Sequence, residues 1–245
     1  MPTEPHLPPE AFSTLYDQML DLWIRPELER RGQPGTEHNI RQALVQLIPG
    51  RQPRIELDEE AEFIAQVEAA RPIEKGDPVT TADITRIHSI APGSLDPNAG
   101  WIGFTTVGDQ RWLMFDFRRN RETARVELRR AKEFLAIARL SLGSSIPVAL
   151  ENAFAAAELA VTAEMHLMHD RPTKVHPEKR RWYKQWSELG NAPEAGSRAL
   201  AELGKHRSRA RYATGPVQID AQRVAELVEA VEDLVDHVEQ AVGDG

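Results

Sequence analysis

The strongest restriction on the fold of this chain is a long segment that is apolar on almost every side of a helix. The segment is ALENAFAAAELAVTAEMHLM, residues 149–168. A surface helix carries one apolar stripe, whereas a helix that is apolar all round is buried by neighbours on several sides. Its many alanines let those neighbours approach closely. The segment therefore predicts either the central helix of a bundle or the seam of a dimer.

Helical periodicity continues on both sides of this segment. It predicts helices over about 121–142, 145–169, 193–212 and 219–242, with a short helix within 177–189. The last helix is amphipathic, and its apolar stripe consists of Val224, Leu227, Val228, Val231, Leu234, Val235 and Val238. The C-terminal half is therefore expected to be a helical bundle.

The clearest β signal precedes the helices, in WIGFTTVGDQRWLMFDFR at 101–118. Gly108-Asp109 has the composition of a two-residue hairpin loop, which fixes the register of the two strands. The expected opposing pairs are Val107 with Gln110, Phe104 with Leu113, Ile102 with Phe115, Thr105 with Trp112, and Gly103 with Met114. Both faces are apolar, so we expect the hairpin to lie between two layers.

The rest of the N-terminal part gives weaker signals. They predict a helix over 10–31 that Pro26 kinks or ends, a helix over 37–48, strands at Arg54–Leu57 and Ile84–Ile90, and a helix over Glu59–Ala70. The predicted fold class is α+β, with a small N-terminal α+β module over residues 1–119 and an all-α helical bundle over residues 120–245.

Composition excludes several classes of protein. A chain without cysteine has no disulfide framework, zinc–thiolate site or thiol redox centre. Its polar, proline-rich beginning and the lack of an uninterrupted apolar run of about 20 residues predict a soluble cytoplasmic protein without a membrane span. The sequence contains no GxGxxG, Walker A, GxSxG or kinase motif, so we expect no cofactor.

Charge is distributed unevenly along the chain, whose net charge is -8. Residues 1–100 carry 9 Lys/Arg against 17 Asp/Glu, residues 101–212 carry 20 against 13, and residues 213–245 carry 1 against 8. A basic middle can bind the phosphates of a nucleic acid, or it can pair with its own acidic flanks inside one fold. The charges leave both interpretations open.

The helical half resembles the HEPN domain family over about residues 121–242. The features that carry the resemblance are RAKEFLAIA in the first helix, ENAFAAAELAVTA in the second, the loop sequence PTKVH, then LGKHRSRARY, and a closing acidic amphipathic helix. Such bundles occur in prokaryotic toxins, defence proteins and nucleotidyltransferase partners, and many are dimeric, metal-independent ribonucleases. The resemblance implies a homodimer through the helical bundle, RNA or a protein as partner, and a role in defence or toxin–antitoxin biology.

The family's ribonuclease signature is an arginine followed after four to six residues by a histidine, and Arg171 and His176 have this spacing. At the later helix where the family carries the signature, this chain has His206, Arg207, Arg209, Arg211 and Tyr212, which is similar to noncatalytic members. A metal-free ribonuclease needs a base for the 2′-hydroxyl and cations for the phosphorane. His176 is the expected base, with His206 as alternative, and Arg171 and Arg207 are the expected cations, with Arg211 as alternative.

Other basic and aromatic residues are candidates for RNA binding. They are Arg180, Arg181, Lys184, Arg209, Arg211 and Tyr212. Each also has a structural interpretation: the arginines can compensate a helix C-terminus, and Tyr212 can pack in the core. Trp182 and Trp186 share a helix face and are expected to dock on the bundle, which would leave Arg180, Arg181 and Lys184 in solvent.

Two further interpretations of the function stay open. His166, His169, Asp170 and His176 form the one metal-like set, but they lack HExxH spacing, so we expect no metal site. A metal-dependent hydrolase would depend on this set alone. The main alternative to a ribonuclease is a noncatalytic, dimeric interaction or scaffold protein with a divergent HEPN-like bundle.

Overall fold

The chain forms two compact units, Met1–Phe117 and Arg118–Gly245. The computed structural model describes residues 8–168, 173–212 and 218–243. The first unit combines helices with antiparallel sheets, and every described element of the second unit is a helix. The fold class is therefore α+β, as the sequence predicts.

The first unit begins with a nearly continuous helical segment. It consists of α1 (Pro9–Met19), a π-helical turn (Leu20–Ile24) and α2 (Arg25–Arg30). Pro26 does not end the helix. Just before Pro26 the helix widens into a π-helical turn, in which the backbone N–H of Arg25 donates to the carbonyl of Leu20, five residues earlier. This turn accommodates the proline, which has no N–H to donate in a regular α-helix.

Six strands follow the helices. They are β1 (Gln42–Leu47), β2 (Arg54–Leu57), β3 (Phe63–Ala69), β4 (Ile84–Pro92), β5 (Gly100–Val107) and β6 (Gln110–Asp116). One antiparallel sheet has the order β2-β1-β5-β6, and β3 pairs with β4 in a separate two-stranded sheet. The β5–β6 hairpin has the predicted register throughout, from Val107 opposite Gln110 to Ile102 opposite Phe115.

Two predicted helices of the first unit are wrong. The expected helix over 37–48 is a short 3-10 turn followed by β1, a central strand whose residues from Ala43 to Gln46 are buried on both faces. The expected helix over Glu59–Ala70 is another 3-10 turn followed by β3, which pairs with β4. A short apolar run does not separate a buried strand from a helix, and here pairing with distant strands decides the outcome.

The hairpin lies between layers, as predicted. On one face of the sheet, Ile102 and Phe104 of β5 join Met19, Ile24 and Leu28 of the helical segment in one core. On the other face, a β-carbon at Gly103 would lie 2.9 Å from the ring of Phe63 and 2.9 Å from the backbone carbonyl oxygen of Ala43. Glycine is required here because the carbonyl of the paired strand cannot move aside.

The described residues of the second unit form a bundle of five helices. Its helices are α3 (Arg121–Ser141), α4 (Ile146–Met168), α5 (His176–Glu188), α6 (Glu194–Tyr212) and α7 (Ala221–Val242), close to the predicted bounds. Helix α4 packs against the other four and is the central helix. The predicted apolar stripe of α7 is buried against it.

Helix α4 is long and apolar enough to cross a membrane by length and composition. In this structure its alanines Ala153, Ala156, Ala157 and Ala160 are completely buried inside the bundle. They therefore mediate close helix packing within the chain, as in the core helix of a soluble bundle.

The C-terminal end of α4 is held by the residues that precede α3. The amide nitrogen of Asn120 donates to the carbonyl of His166 at 3.0 Å, and the backbone N–H of Arg119 donates to the carbonyl of Leu167 at 3.1 Å. The last carbonyls of a helix lack partners within the helix. These bonds satisfy two of them and fix the end of α4 against the start of α3.

Candidate functional site

One face of α4 carries polar and aromatic side chains within an otherwise apolar helix. Glu151, Phe154, Glu158 and Thr162 follow one another at three- or four-residue spacing and therefore lie on the same face. This face meets the first turn of α5 and the C-terminal half of α6, which carry most of the residues that the sequence singles out.

His176, the first residue of α5, is oriented by a buried carboxylate. Its Nδ1 is hydrogen-bonded to Oε1 of Glu158. Because a carboxylate only accepts hydrogen bonds, Nδ1 is the donor in this pair, and in the neutral imidazole Nε2 is then the acceptor. Glu158 is 8% exposed, whereas the side chain of His176 is 43% exposed. This pair gives a solvent-accessible imidazole with a fixed tautomer, which is what a general base requires.

Arg207 of α6 and His176 both contact the ring of Phe154. The guanidinium carbon of Arg207 is 5.0 Å from the centroid of this ring, and the centroid of the His176 ring is 6.1 Å from it. The Nε atom of Arg207 is buried and has no hydrogen-bond acceptor among the described residues. The structure therefore brings together two of the three predicted catalytic residues and leaves a buried N–H group without an acceptor beside them.

Further cations line the same face. Arg211 lies 3.4 Å from a carboxylate oxygen of Glu151, and Nζ of Lys179 donates to Oγ1 of Thr162 at 2.7 Å. Arg180 lies against Gly204 of α6, where a β-carbon would overlap its guanidinium group. Sequence reasoning expects Arg180 in solvent, and this expectation is wrong: the absence of a side chain at Gly204 gives the guanidinium room to approach α6.

The remaining RNA-binding candidates lie on α5 and α6. Arg181 and Arg209 are exposed and have no ion-pair partner within the described part of the chain. Lys184 is exposed and lies 3.5 Å from Glu188. Tyr212 is 67% exposed, so the interpretation that it packs in the core is wrong, and the guanidinium of Arg211 lies 5.7 Å from its ring centroid.

Three candidate residues lie outside the described residues. They are Arg171, the third predicted catalytic residue, and His169 and Asp170 of the metal-like set. Within residues 8–168, 173–212 and 218–243, no group of three His, Asp or Glu side chains could hold a metal ion. His166 is half-buried, and burial is the main reason why its pKa is lowered from 6.5.

The two tryptophans of α5 dock on the bundle, as expected from their spacing. The rings of Trp182 and Trp186 stack with centroids 5.5 Å apart and pack against the core. The indole N–H of Trp186 donates to the buried Glu164 at 2.8 Å. These rings fix α5 on the bundle.

Sequence reasoning missed Phe154 and Glu158, the α4 residues that join the site together. The signal was present, because a carboxylate inside an apolar helix has to find a partner when it is buried. Glu158 is such a residue, and its partner His176 lies at the start of the next helix. No family model and no curated protein matches this chain, so the candidate site is supported by its geometry.

Proposed function

We propose that this protein binds RNA on the face formed by α4, α5 and α6 and cleaves it without a metal ion. One observation carries the proposal: a histidine hydrogen-bonded to the buried Glu158 and the guanidinium group of Arg207 both contact the ring of Phe154. The charged guanidinium group of Arg207 is a strong donor to phosphate oxygens.

The proposed reaction is an internal transesterification. Nε2 of His176 accepts the proton of a ribose 2′-hydroxyl as that oxygen attacks the adjacent phosphorus. Arg207 donates to the non-bridging oxygens and stabilises the phosphorane. The bond to the 5′-oxygen breaks, the leaving oxygen takes a proton from water, and His176 returns its proton to solvent. The products are a 2′,3′-cyclic phosphate and a 5′-hydroxyl end.

The surrounding side chains support RNA as the ligand. Lys179, Arg180 and Arg211 offer positive charge beside the site, and Arg181 and Arg209 are exposed cations near it along the same helices. The exposed ring of Tyr212 can stack a base, which favours a single strand. By analogy, the resemblance to HEPN domains suggests a role in defence or toxin–antitoxin biology.

The test is cleavage and binding of labelled single-stranded RNA in EDTA by the full chain. His176→Ala should lower the cleavage rate by about 10²–10⁴ and leave binding unchanged, because it removes only the base. Arg207→Ala should weaken both activities, and Glu158→Gln should reduce cleavage through the orientation of His176. Matched controls are His38→Ala, an exposed histidine of the first unit, and Arg198→Ala, an exposed arginine of α6 paired with Glu194.

Each other outcome points to a different function. Cleavage that EDTA abolishes would indicate a metal-dependent hydrolase. RNA binding without cleavage, or neither activity, would contradict the nuclease and favour a noncatalytic interaction protein. Cleavage that His176→Ala does not reduce would show that the activity arises elsewhere.

A further inference from the structure

The polar face of α4 holds basic side chains at both of its ends as well as in its middle. At one end, Arg211 of α6 lies 3.4 Å from a carboxylate oxygen of Glu151. At the other end, Nζ of Lys179 of α5 donates to Oγ1 of Thr162 at 2.7 Å. The proposed reaction uses the middle of this row of cations and leaves its two ends without a role in the chemistry.

The spacing of the row follows from the geometry of the helix. Glu151 and Thr162 are about three helical turns apart, which is about 16 Å along the axis of α4. Between these two positions, His176 and Arg207 contact the ring of Phe154. Consecutive phosphates of an extended single strand are about 6 Å apart. The row therefore has the length of about three to four consecutive phosphates.

The cations at the two ends of the row have donors to spare. Lys179 has no ion-pair partner among the residues that the structure describes, and Thr162 accepts one of the three N–H bonds of its ammonium group. Arg211 makes only a long contact with Glu151, and a guanidinium group has five N–H donors. Each cation can therefore bind a phosphate oxygen and keep the contact that holds it on α4.

The carboxylates of this face lie deeper than its cations. The side chains of Glu151 and Glu158 are 29% and 10% exposed, whereas those of Arg211 and His176 are 48% and 43% exposed. An anion that approaches from solvent therefore meets the basic side chains first, and the carboxylates beneath them hold these side chains in position.

We propose that an extended single strand of RNA lies along α4, with the reacting phosphate at His176 and Arg207 and the flanking phosphates at Lys179 and Arg211. This inference rests on the proposed function and adds the path of the strand and the minimum length of the substrate. Because cations lie on both sides of the reacting pair, the site takes an internal phosphate, and the enzyme is an endonuclease. Lys179 and Arg211 bind the substrate without touching the reacting atoms.

Binding of oligonucleotides that cannot react tests this path separately from cleavage. The probes are oligouridylates of about two to twelve nucleotides with 2′-O-methyl groups, which block the attack by the 2′-oxygen. The affinity of the full chain should rise steeply up to about five nucleotides, which carry about four phosphates, and only slightly beyond that length.

Substitutions at the ends of the row test its individual contacts. Lys179→Ala and Arg211→Ala should each weaken binding of the probe of about five nucleotides about tenfold at low salt. Each should also reduce the slope of log affinity against log salt by about 0.7, because one phosphate contact is lost. Thr162→Val should weaken binding about threefold and keep the slope, since Lys179 loses its anchor but not its charge. Lys205→Ala, a lysine of α6 in the groove facing α7, is the matched control and should change neither quantity.

Cleavage of unmodified RNA provides the second readout. Lys179→Ala and Arg211→Ala should raise KM about tenfold and leave kcat within about threefold, because they contact phosphates that do not react. An affinity that rises evenly to about twelve nucleotides, or salt slopes that both substitutions leave unchanged, would overturn the inference even if RNA is cleaved as proposed. The expected slopes without any cleavage would support the path of the strand and contradict the nuclease.

Discussion

At the scale of single residues, Glu164 shows how the bundle handles a buried charge. This carboxylate is 2% exposed, accepts from the indole of Trp186 and lies 3.3 Å from Nε2 of His237. Its other oxygen and the hydroxyl of Tyr183 have no hydrogen-bond partner among the described residues. The hydrogen bond with Glu164 raises the pKa of His237 above 6.5, and burial raises the pKa of Tyr183.

The raised pKa of His237 predicts a pH-dependent stability. The folded state binds the proton more tightly than the unfolded state, so the stabilisation is complete below pH 6.5 and is lost as the pH rises through the higher folded-state value. Urea denaturation from about pH 5 to about pH 9 should give a free energy of unfolding that falls over this window, and His237→Gln should lack that part of the fall. If the free energy of unfolding of the natural chain and that of His237→Gln change with pH in parallel, the role of His237 is refuted.

Asn120 combines a strained backbone with a capping bond. Its φ is 54°, in the left-handed region, and its side chain donates to the carbonyl of His166. Asn120→Ala loses the bond, keeps a β-carbon in the left-handed region and should cost about 1 kcal/mol. Asn120→Gly loses the same bond but relieves the backbone strain, and should cost about 1 kcal/mol less than Asn120→Ala. Chemical denaturation measures both values, and equal losses would contradict the contribution of the backbone.

At the scale of elements, two glycines of α6 predict opposite effects of adding a methyl group. A β-carbon at Gly196 would lie 2.9 Å from Cδ1 and 3.1 Å from Cβ of the buried Leu234. At Gly204 it would meet the flexible end of Arg180. Gly196→Ala should therefore destabilise the protein by about 1–3 kcal/mol, as overpacked cores do. Gly204→Ala should be neutral or stabilise it by up to about 1 kcal/mol, because alanine favours a helix. Thermal unfolding of both variants tests this prediction. A loss of stability in Gly204→Ala as large as that in Gly196→Ala would contradict it.

The sequence predicts elements well where the pattern is long or the turn is specific. The helices of the second unit have apolar periodicity over many turns, and Gly108-Asp109 fixes the hairpin register. The sequence predicts helices in place of β1 and β3 because the apolar runs of these strands are short. What makes β1 a strand is its pairing with β5, such as Ala43 opposite Phe104, which no local pattern encodes.

The candidate site was predictable in chemistry but not in assembly. His176 and Arg207 stand out by residue type, yet they come together through Phe154, which looks like an ordinary core residue in the sequence. The exposure of Tyr212 and the position of Arg180 against Gly204 also depend on how α5, α6 and α4 pack. Local periodicity predicts which face of a helix is apolar, but it does not predict which other helix packs against that face.

At the scale of the whole molecule, each unit has its own core. The core of the second unit is drawn from residues between Ala124 and Val242, and that of the first from residues between Met19 and Phe104. A chain containing only residues 118–245 should therefore fold alone. Circular dichroism should give a helical spectrum with cooperative thermal unfolding, and RNA affinity should match that of the full chain. A noncooperative or aggregated product would contradict this independence.

The basic middle of the chain contains two groups of cations. Part of the basic middle pairs with the acidic end, as in Lys132 with Glu239, while Arg207 and its neighbours remain at the candidate site. Pairing with the acidic flank therefore describes part of the basic middle, and phosphate binding by the rest belongs to the proposed function. If Arg207 and the cations near it bind phosphates, RNA affinity should fall steeply as the salt concentration rises.

The central claim is that Glu158, His176 and Arg207 form a metal-free site for RNA cleavage, and the most direct test is the chemistry of the ends that it makes. Single-stranded RNA incubated with the full chain in EDTA should yield fragments ending in a 2′,3′-cyclic phosphate, and His176→Ala should yield none. Intact RNA, fragments ending in a 3′-hydroxyl, or the same ends from His176→Ala would contradict the claim.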